Sequence, residues 1–209
     1  MALFTACEEN ANDDLEYADW QPRNAQYFQE KLAQARQAIA AAKAAYGDDW
    51  EAHCDWRAYR TYALTEDAAA TATDSICVQV LHHGTGSGFP LYTDSIRINY
   101  IGRLIPNPLS EDEAARTQGR VFDHSGLSRD SADVFDPDFS QPATLLVSNN
   151  VEGFTTAVMR MRIGDLWRIY IPQELGYGDR SVSIIPAYST LVYDVQLKAF
   201  YRAGVVPGT

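Results

Sequence analysis

The chain has 209 residues, 46% of them hydrophobic, which is enough to bury a full-sized core in one large domain or in a domain with an appendage. The formal net charge of −11 and the lack of a basic stripe argue against a nucleic acid as partner, because phosphate contacts need clustered cations. No run of about 18 apolar residues is present, so no segment is expected to span a membrane.

Residues 1–21 are expected to form a tail and spacer. The stretch Leu-Phe-Thr-Ala-Cys at 3–7 is similar to the end of a bacterial lipoprotein signal, in which small residues precede a cysteine that becomes lipid-modified. Cys7 would then carry acyl chains and hold the protein at a membrane surface of the cell envelope, on the periplasmic face or the cell surface. The hydrophobic part of such a signal does not precede Cys7 here, so an untethered tail with an incidental thiol remains the alternative.

Residues 22–64 are predicted to form a helical extension. Pro22 suits a first helical turn, and Gly47 can end the helix in a left-handed cap. Apolar residues between them follow spacings of three and four, and we call this row the apolar seam: Phe28, Leu32, Ala35, Ile39, Ala42 and Tyr46. A second helix is predicted at about 48–64, with Trp50, Cys54, Trp56 and Tyr59. The seam packs on that helix or on the following domain, or it serves dimerisation or the holding of client proteins.

The segment 65–75 lacks periodicity and is predicted to be a linker, and from residue 76 onward the chain is rich in strands. A strand is expected at 95–104, with Ile96, Ile98, Tyr100 and Leu104 on one face. In the segment 150–164 the residues Phe154, Val158 and Met161 are spaced as one helical stripe facing the sheet. Cys54 and Cys77 form either a disulfide or two buried thiols, and their placement on a helix and at a strand start favours the thiols.

Four segments follow the order of a known family signature. The stretch GDLWRIYIPQELGYG at 164–178 continues to IIPAYSTLVYDVQL at 184–197, and NYIG, VFDHS and NVEGFTTAVMRM precede it. The chain thereby resembles the FKBP family of peptidyl-prolyl cis-trans isomerases over about residues 75–201. The resemblance implies an α+β fold, with a curled antiparallel sheet wrapped around a short helix at 76–201, and a C-terminal tail at 202–209.

The resemblance also implies an activity, the rotation of X-Pro peptide bonds, that requires no metal and no cofactor. Resonance gives this rotation a barrier of about 18–20 kcal/mol, and a water-poor aromatic site lowers it by favouring the twisted amide over the planar one. By position in the signature, three residues would act at the twisting bond: Asp123, Tyr177 and Tyr100. Five would bind the substrate: Phe122, Val151, Phe154, Ile185 and Tyr193. Phe154 stands where the family usually has a tryptophan.

Proline-containing polypeptide clients follow from the same resemblance, as does a macrolide as a further ligand. The alternative is a non-catalytic chaperone or assembly module of the cell envelope that keeps the FKBP fold. Segments 105–120 and 126–141 are longer than the family usually has, and both are expected to border the pocket. The family has one further aromatic residue in its pocket. Its position aligns with Ala143, so that the aromatic is missing here, or it is supplied by Phe135 or Phe139 of the insertion.

Overall fold

A computed structural model describes residues 15–65, 67–69, 71–126, 136 and 141–205. Its strands are β1 Trp56–Arg60, β2 Ser75–His82, β3 Ser95–Arg103, β4 Val121–His124, β5 Ala143–Leu146, β6 Leu166–Ile171 and β7 Leu191–Tyr201. Its α-helices are α1 Trp20–Tyr46, α2 Glu113–Thr117 and α3 Glu152–Val158. The predicted α+β class is therefore confirmed. Cys7, Phe135 and Phe139 lie outside the described residues.

The seven strands form one sheet in the order β1-β2-β6-β7-β3-β4, with β5 also paired to β3. Every pairing is antiparallel. Strand β7 lies between β6 and β3, and two of its register pairs matter below: Tyr193 lies opposite Gly102, and Asp194 lies opposite Arg168. Because neighbouring residues of a strand point to opposite faces, Tyr193 and Asp194 belong to different sides of the sheet.

The inner face of the sheet curls around α3, which is buried along almost its whole length. The three residues of the predicted stripe are buried, since Phe154, Val158 and Met161 are 3%, 0% and 0% exposed. The helix ends at Val158, however, so Met161 lies beyond it. Gly153 lets the helix approach β6, because a Cβ at this position would lie 2.4 Å from the side chain of Ile171. This close packing fixes the start of α3, which contributes residues to the site described below.

The outer face of the sheet is covered by α1, which begins at Trp20, two residues before the predicted start. Its seam residues Phe28, Leu32 and Ala35 are at most 2% exposed and form one cluster with Cys77 and Tyr170 of the sheet. The extension therefore packs on the sheet of its own chain. This part of the seam is not available to a second copy or to a client.

The predicted second helix at 48–64 is wrong. Residues Gly47–His53 form a 3-10 helix, and Trp56–Arg60 form β1, which pairs with β2. Trp56 and Ala58 pack with the cluster under α1, whereas Tyr59 packs with the core of the inner face. This alternation has a period of two, and pairing with β2 satisfies the backbone hydrogen bonds that a helix would have made internally.

Cys54 and Cys77 are buried free thiols, as predicted. Burial raises the pKa of the Cys77 thiol to about 12, so this sulfur stays protonated at neutral pH. Within the described residues no helix is both long and apolar enough to cross a bilayer.

Candidate active site

Four aromatic side chains from three strands and one helix meet on the inner face of the sheet. The ring of Tyr193 is at their centre, with centroid distances of 5.0 Å to Phe154, 5.4 Å to Phe122 and 6.4 Å to Tyr100. Phe154 and Phe122 approach it edge to face, the arrangement that aromatic quadrupoles favour. The sequence signature is thus brought together in space.

Gly102 of β3 allows this cluster to close. A Cβ at this position would lie 2.6 Å from the ring of Phe122 and 2.7 Å from the ring of Tyr193. Both distances are shorter than any normal carbon–carbon contact, so the two rings rest on bare backbone. The glycine of the NYIG segment is therefore required by packing.

Asp123 lies at the rim of the cluster and is exposed. The hydroxyl of Tyr100 donates to Oδ2 of Asp123 at 2.9 Å, and the backbone N–H of His124 donates to Oδ1 at 2.9 Å. The carboxylate is therefore held in one orientation by two donors, since Tyr100 is itself 8% exposed and fixed in β3. A negatively charged acceptor thus borders an apolar floor.

An open cleft of about 510 Å³ is formed over these residues. Six of the eight predicted residues line it: Tyr100, Asp123, Val151, Phe154, Tyr177 and Tyr193. Phe122 is half-buried behind Tyr193, and Ile185 is 5% exposed in the adjoining core. These two support the cleft from behind. The volume lies in the range of small-ligand sites, about 300–1,000 Å³.

The tyrosines of the cleft are held in their neutral form. Burial raises the pKa of Tyr100, Tyr177 and Tyr193, and the nearby negative charge of Asp123 raises each of them further. Their hydroxyl groups therefore remain hydrogen-bond donors across the physiological pH range. Such a cleft can bind an apolar ring and donate to carbonyl oxygens around it.

The family model of FKBP-type peptidyl-prolyl cis-trans isomerases matches residues 87–198, more than half of the chain. The chain belongs to this family. The match begins inside the loop before β3 and ends in β7, so it contains every residue of the cleft described above.

Two relatives and one solved structure are similar to this chain. The FKBP-type 22 kDa peptidyl-prolyl cis-trans isomerase of Escherichia coli (strain K12) is 34% identical over 57% of this chain and 47% of that protein. The outer membrane protein MIP of Legionella longbeachae is 30% identical over 60% of this chain and 44% of that protein. The crystal structure of FkpA from Escherichia coli aligns with a TM-score of 0.48 and 24% identity, covering 89% of this chain and 71% of that chain. The chain spans about half the length of the curated relatives it matches.

Five residues of the FKBP cleft were missed by the sequence reasoning: Leu145, Asn149, Asn150, Gly176 and Arg180. Asn149 and Asn150 directly precede Val151, and a polar pair before a predicted helix start was a usable signal. Asn150 donates to the carbonyl of Leu146 at 2.7 Å and so fixes the approach to α3. Arg180 is exposed and had no periodic pattern to mark it.

The expectation that segment 105–120 borders the pocket is wrong. None of these residues lines the cleft. Asn107 instead faces the start of α1, where its Nδ2 donates to the carbonyl of Glu16 at 2.9 Å and its Oδ1 accepts from Arg23 at 2.6 Å. These polar contacts hold the insertion against the helix. Of segment 126–141, only residues 126, 136 and 141 are described.

Proposed function

We propose that this chain is a peptidyl-prolyl cis-trans isomerase that rotates X-Pro bonds and thereby assists the folding of exported proteins. The observation that carries the proposal is the pairing of Asp123 and Tyr100, 2.9 Å apart, at the rim of the cleft whose floor is Tyr193 and Phe154. Isomerisation of X-Pro bonds takes tens to hundreds of seconds unaided, which is slow enough to limit folding.

In this proposal the proline ring lies on the aromatic floor. Phe154 and Tyr193 both line the open cleft, so a proline ring placed against them displaces water from it. A planar amide depends on solvent hydrogen bonds to its carbonyl, whereas the twisted amide has lost its resonance and depends on them less. Removing water therefore raises the ground state more than the transition state, and each 1.4 kcal/mol of difference gives about tenfold in rate.

Two donors hold the peptide on either side of the proline. Tyr177 and Val151 both line the cleft, and neither the hydroxyl of Tyr177 nor the backbone N–H of Val151 donates to another group of the described residues. In the bound state they donate to the flanking carbonyls. The pair Asp123–Tyr100 lies beside the rotating carbonyl and stabilises the partial charges that appear when resonance is lost.

The test is a proline-peptide isomerisation assay with one variant at the rim of the cleft and one in the aromatic cluster behind it. Asp123→Ala and Phe122→Ala are expected to lower kcat/KM by at least tenfold, with near-native circular dichroism. Asp48→Asn, an exposed carboxylate outside the cleft, is the matched control and should keep full activity. Wild-type catalysis no faster than that of Asp123→Ala would remove the enzymatic proposal. Suppression of client aggregation by that inactive protein would then point to a chaperone.

We further propose that the protein acts in the bacterial cell envelope, held there by lipid on Cys7. The relative from Legionella longbeachae is named an outer membrane protein, which supports this location. To test the anchor, the chain is expressed behind a lipoprotein leader in cells fed a labelled fatty acid. The wild-type protein should take up the label, and the Cys7→Ser variant should not. Label on both proteins, or on neither, would reject it.

Two finer proposals concern the ligand and the oligomer. A macrolide would occupy the same cleft, so it should inhibit the peptide assay competitively. A homodimer through α1 would have to leave out Phe28, Leu32 and Ala35, because the sheet covers this part of the seam. Analytical ultracentrifugation at micromolar concentration distinguishes the monomer from that dimer.

A further inference from the structure

A second cavity lies on the outer face of the sheet, on the opposite side from the cleft. Its volume is about 440 Å³, and we call it the outer-face cavity. The sheet supplies Arg103, Arg168 and Asp194, while α1 supplies Lys31 and the end of the 105–120 insertion supplies Gln118. Two segments outside the sheet thus enclose a patch of strand surface that would otherwise face solvent.

The charge inside this cavity is positive, although the whole chain carries −11. Its lining has three cationic side chains and a single carboxylate, that of Asp194. Arg168 binds this carboxylate with two parallel hydrogen bonds of 2.7 and 2.8 Å, and Arg103 approaches it within 3.5 Å. Both oxygens of Asp194 are therefore engaged, and the cationic side chains that line the cavity outnumber its carboxylate.

Two of the charged groups are held largely out of water, whereas the side chain of Arg168 is 40% exposed. The side chains of Arg103 and Asp194 are only 10% and 8% exposed. At such burial an electrostatic interaction is screened far less than at the open surface, so an anion entering here gains more than it would at an exposed lysine. The Arg168 guanidinium has further N–H groups beyond the two that bind Asp194.

Lys31 completes the cationic side from the helix. Its Nζ lies 5.4 Å from the ring centroid of Tyr27 and 5.6 Å from that of Tyr170, so two aromatic faces hold the ammonium in place. Lys31 forms no ion pair with another described residue. The same two rings, with Val192, give the cavity an apolar wall.

We propose that the outer-face cavity binds a small organic anion with one phosphate or carboxylate group, held by Lys31, Arg103 and Arg168. The volume exceeds that of a bare inorganic ion, and the apolar wall accommodates the carbon part of such a molecule. Asp194 and Tyr193 are neighbours on opposite faces of β7, so the bound anion does not compete with a peptide in the cleft. The site is independent of the isomerase proposal.

The experiment is an NMR titration of the 209-residue chain, labelled with 15N, with three probes. Phenyl phosphate and benzoate carry the two anionic groups on the same ring, and phenol is their uncharged analogue. The reporters are the side-chain amide of Gln118 and the Nε–H of Arg168. At least one anion should shift both signals saturably and bind at least tenfold more tightly than phenol, and the tighter of the two identifies phosphate or carboxylate as the preferred group.

Lys31→Met keeps the aliphatic stem and removes the charge, and it should weaken binding of the preferred anion about tenfold. The matched control is Lys43→Met, because Lys43 is on the same helix and also lies over an aromatic ring, 5.0 Å from Trp50, but outside the cavity. Its affinity should equal that of the wild type. Equal binding of phenol and the anions, or equal losses in both lysine variants, would overturn the proposal. If Lys31→Met folds poorly, the wild-type titration still tests the proposal, because it compares the two anions with phenol.

Discussion

The hydroxyl of Tyr100 donates to Oδ2 of Asp123 across 2.9 Å and so joins the middle of β3 to the short edge strand β4. Tyr100 is buried and Asp123 is exposed, so the contact couples a rigid element of the core to a charged group at the cleft rim. The backbone of Tyr100 reinforces the connection, because its N–H donates to Oγ of Ser125 at 3.0 Å. The phenol of Tyr100 is therefore the one side chain, of the two donors to this carboxylate, that ties it to the core.

Tyr100→Phe should separate this positioning from packing, because only the hydroxyl is lost. We expect kcat/KM in the peptide assay to fall about tenfold. The free energy of unfolding should fall by about 0.5–1.5 kcal/mol, the usual net contribution of one hydrogen bond, because the acceptor Asp123 is exposed to water. Urea unfolding and the isomerisation assay measure the two effects. Tyr46→Phe, at a tyrosine 50% exposed and far from the cleft, is the control. Unchanged activity in Tyr100→Phe would show that Asp123 needs no such support.

Gly102→Ala should disturb the aromatic cluster without removing any functional group. The added methyl would lie within 2.7 Å of the rings of Phe122 and Tyr193, so at least one ring must move. Overpacking of this kind costs about 1–3 kcal/mol of stability, and we expect activity to fall because the cleft floor is displaced. Chemical denaturation and the peptide assay test this together. Full stability of the variant would mean that the two rings have room the structure does not show.

Leu32→Ala tests whether α1 is part of the folding unit. Leu32 is 2% exposed against the outer face of the sheet, so the truncation should cost about 2–5 kcal/mol. Leu15→Ala, at a leucine 67% exposed, should cost little. Because one cluster connects helix and sheet, far-UV circular dichroism and tryptophan fluorescence should report a single urea transition. A helix signal lost before the sheet signal would mean that α1 folds separately.

Stability should decline above pH 10, and Tyr193 should account for part of the slope. In the unfolded chain a tyrosine ionises near its ordinary pKa of 10.0, whereas burial raises the pKa of Tyr193 in the folded protein. Above pH 10 the unfolded state therefore binds fewer protons than the folded state. The contribution of Tyr193 to the free energy of unfolding is complete below pH 10 and is lost as the pH rises. Tyr193→Phe should flatten the slope by up to about 1.4 kcal/mol per pH unit.

The control for this pH series is Phe154→Leu, which alters the same cluster without removing a titratable group. A plot of its free energy of unfolding against pH should lie below the plot for the wild type and run parallel to it between pH 10 and pH 11. Parallel curves for Tyr193→Phe and wild type would show that the phenol ionises alike in both states.

The sequence predicted the cleft well because its residues are in motifs with fixed spacing. The motif order indicated that Tyr100, Asp123, Phe154 and Tyr177 would meet, and all four line one cleft. Period-two alternation predicted the strand that carries Tyr100. The helical seam was also recognisable, since its spacing reflects a real buried stripe. What the seam packs on was left open, because amphipathic spacing shows that a face is buried without showing its partner.

The errors came from segments whose structure depends on distant partners. The spacing of Trp56 and Tyr59 fits a helix as readily as a strand, and only pairing with β2 decides between them. The insertion at 105–120 has no hydrophobic period, and Asn107 joins it to α1 by hydrogen bonds across 84 and 91 positions of sequence. The cationic lining of the outer-face cavity is likewise scattered from Lys31 to Arg168 and has no local signature.

The antiparallel pairing of β2 with β6 has a practical consequence for dissecting the protein. The region shared with the family starts at residue 87, so a fragment cut at that boundary lacks α1, β1 and β2. In such a fragment β6 becomes an edge strand with unpaired backbone hydrogen-bonding groups, and the side chain of Tyr170 becomes exposed. Both changes favour self-association. Expression trials that retain everything from Trp20 onward should therefore yield soluble material where shorter pieces precipitate.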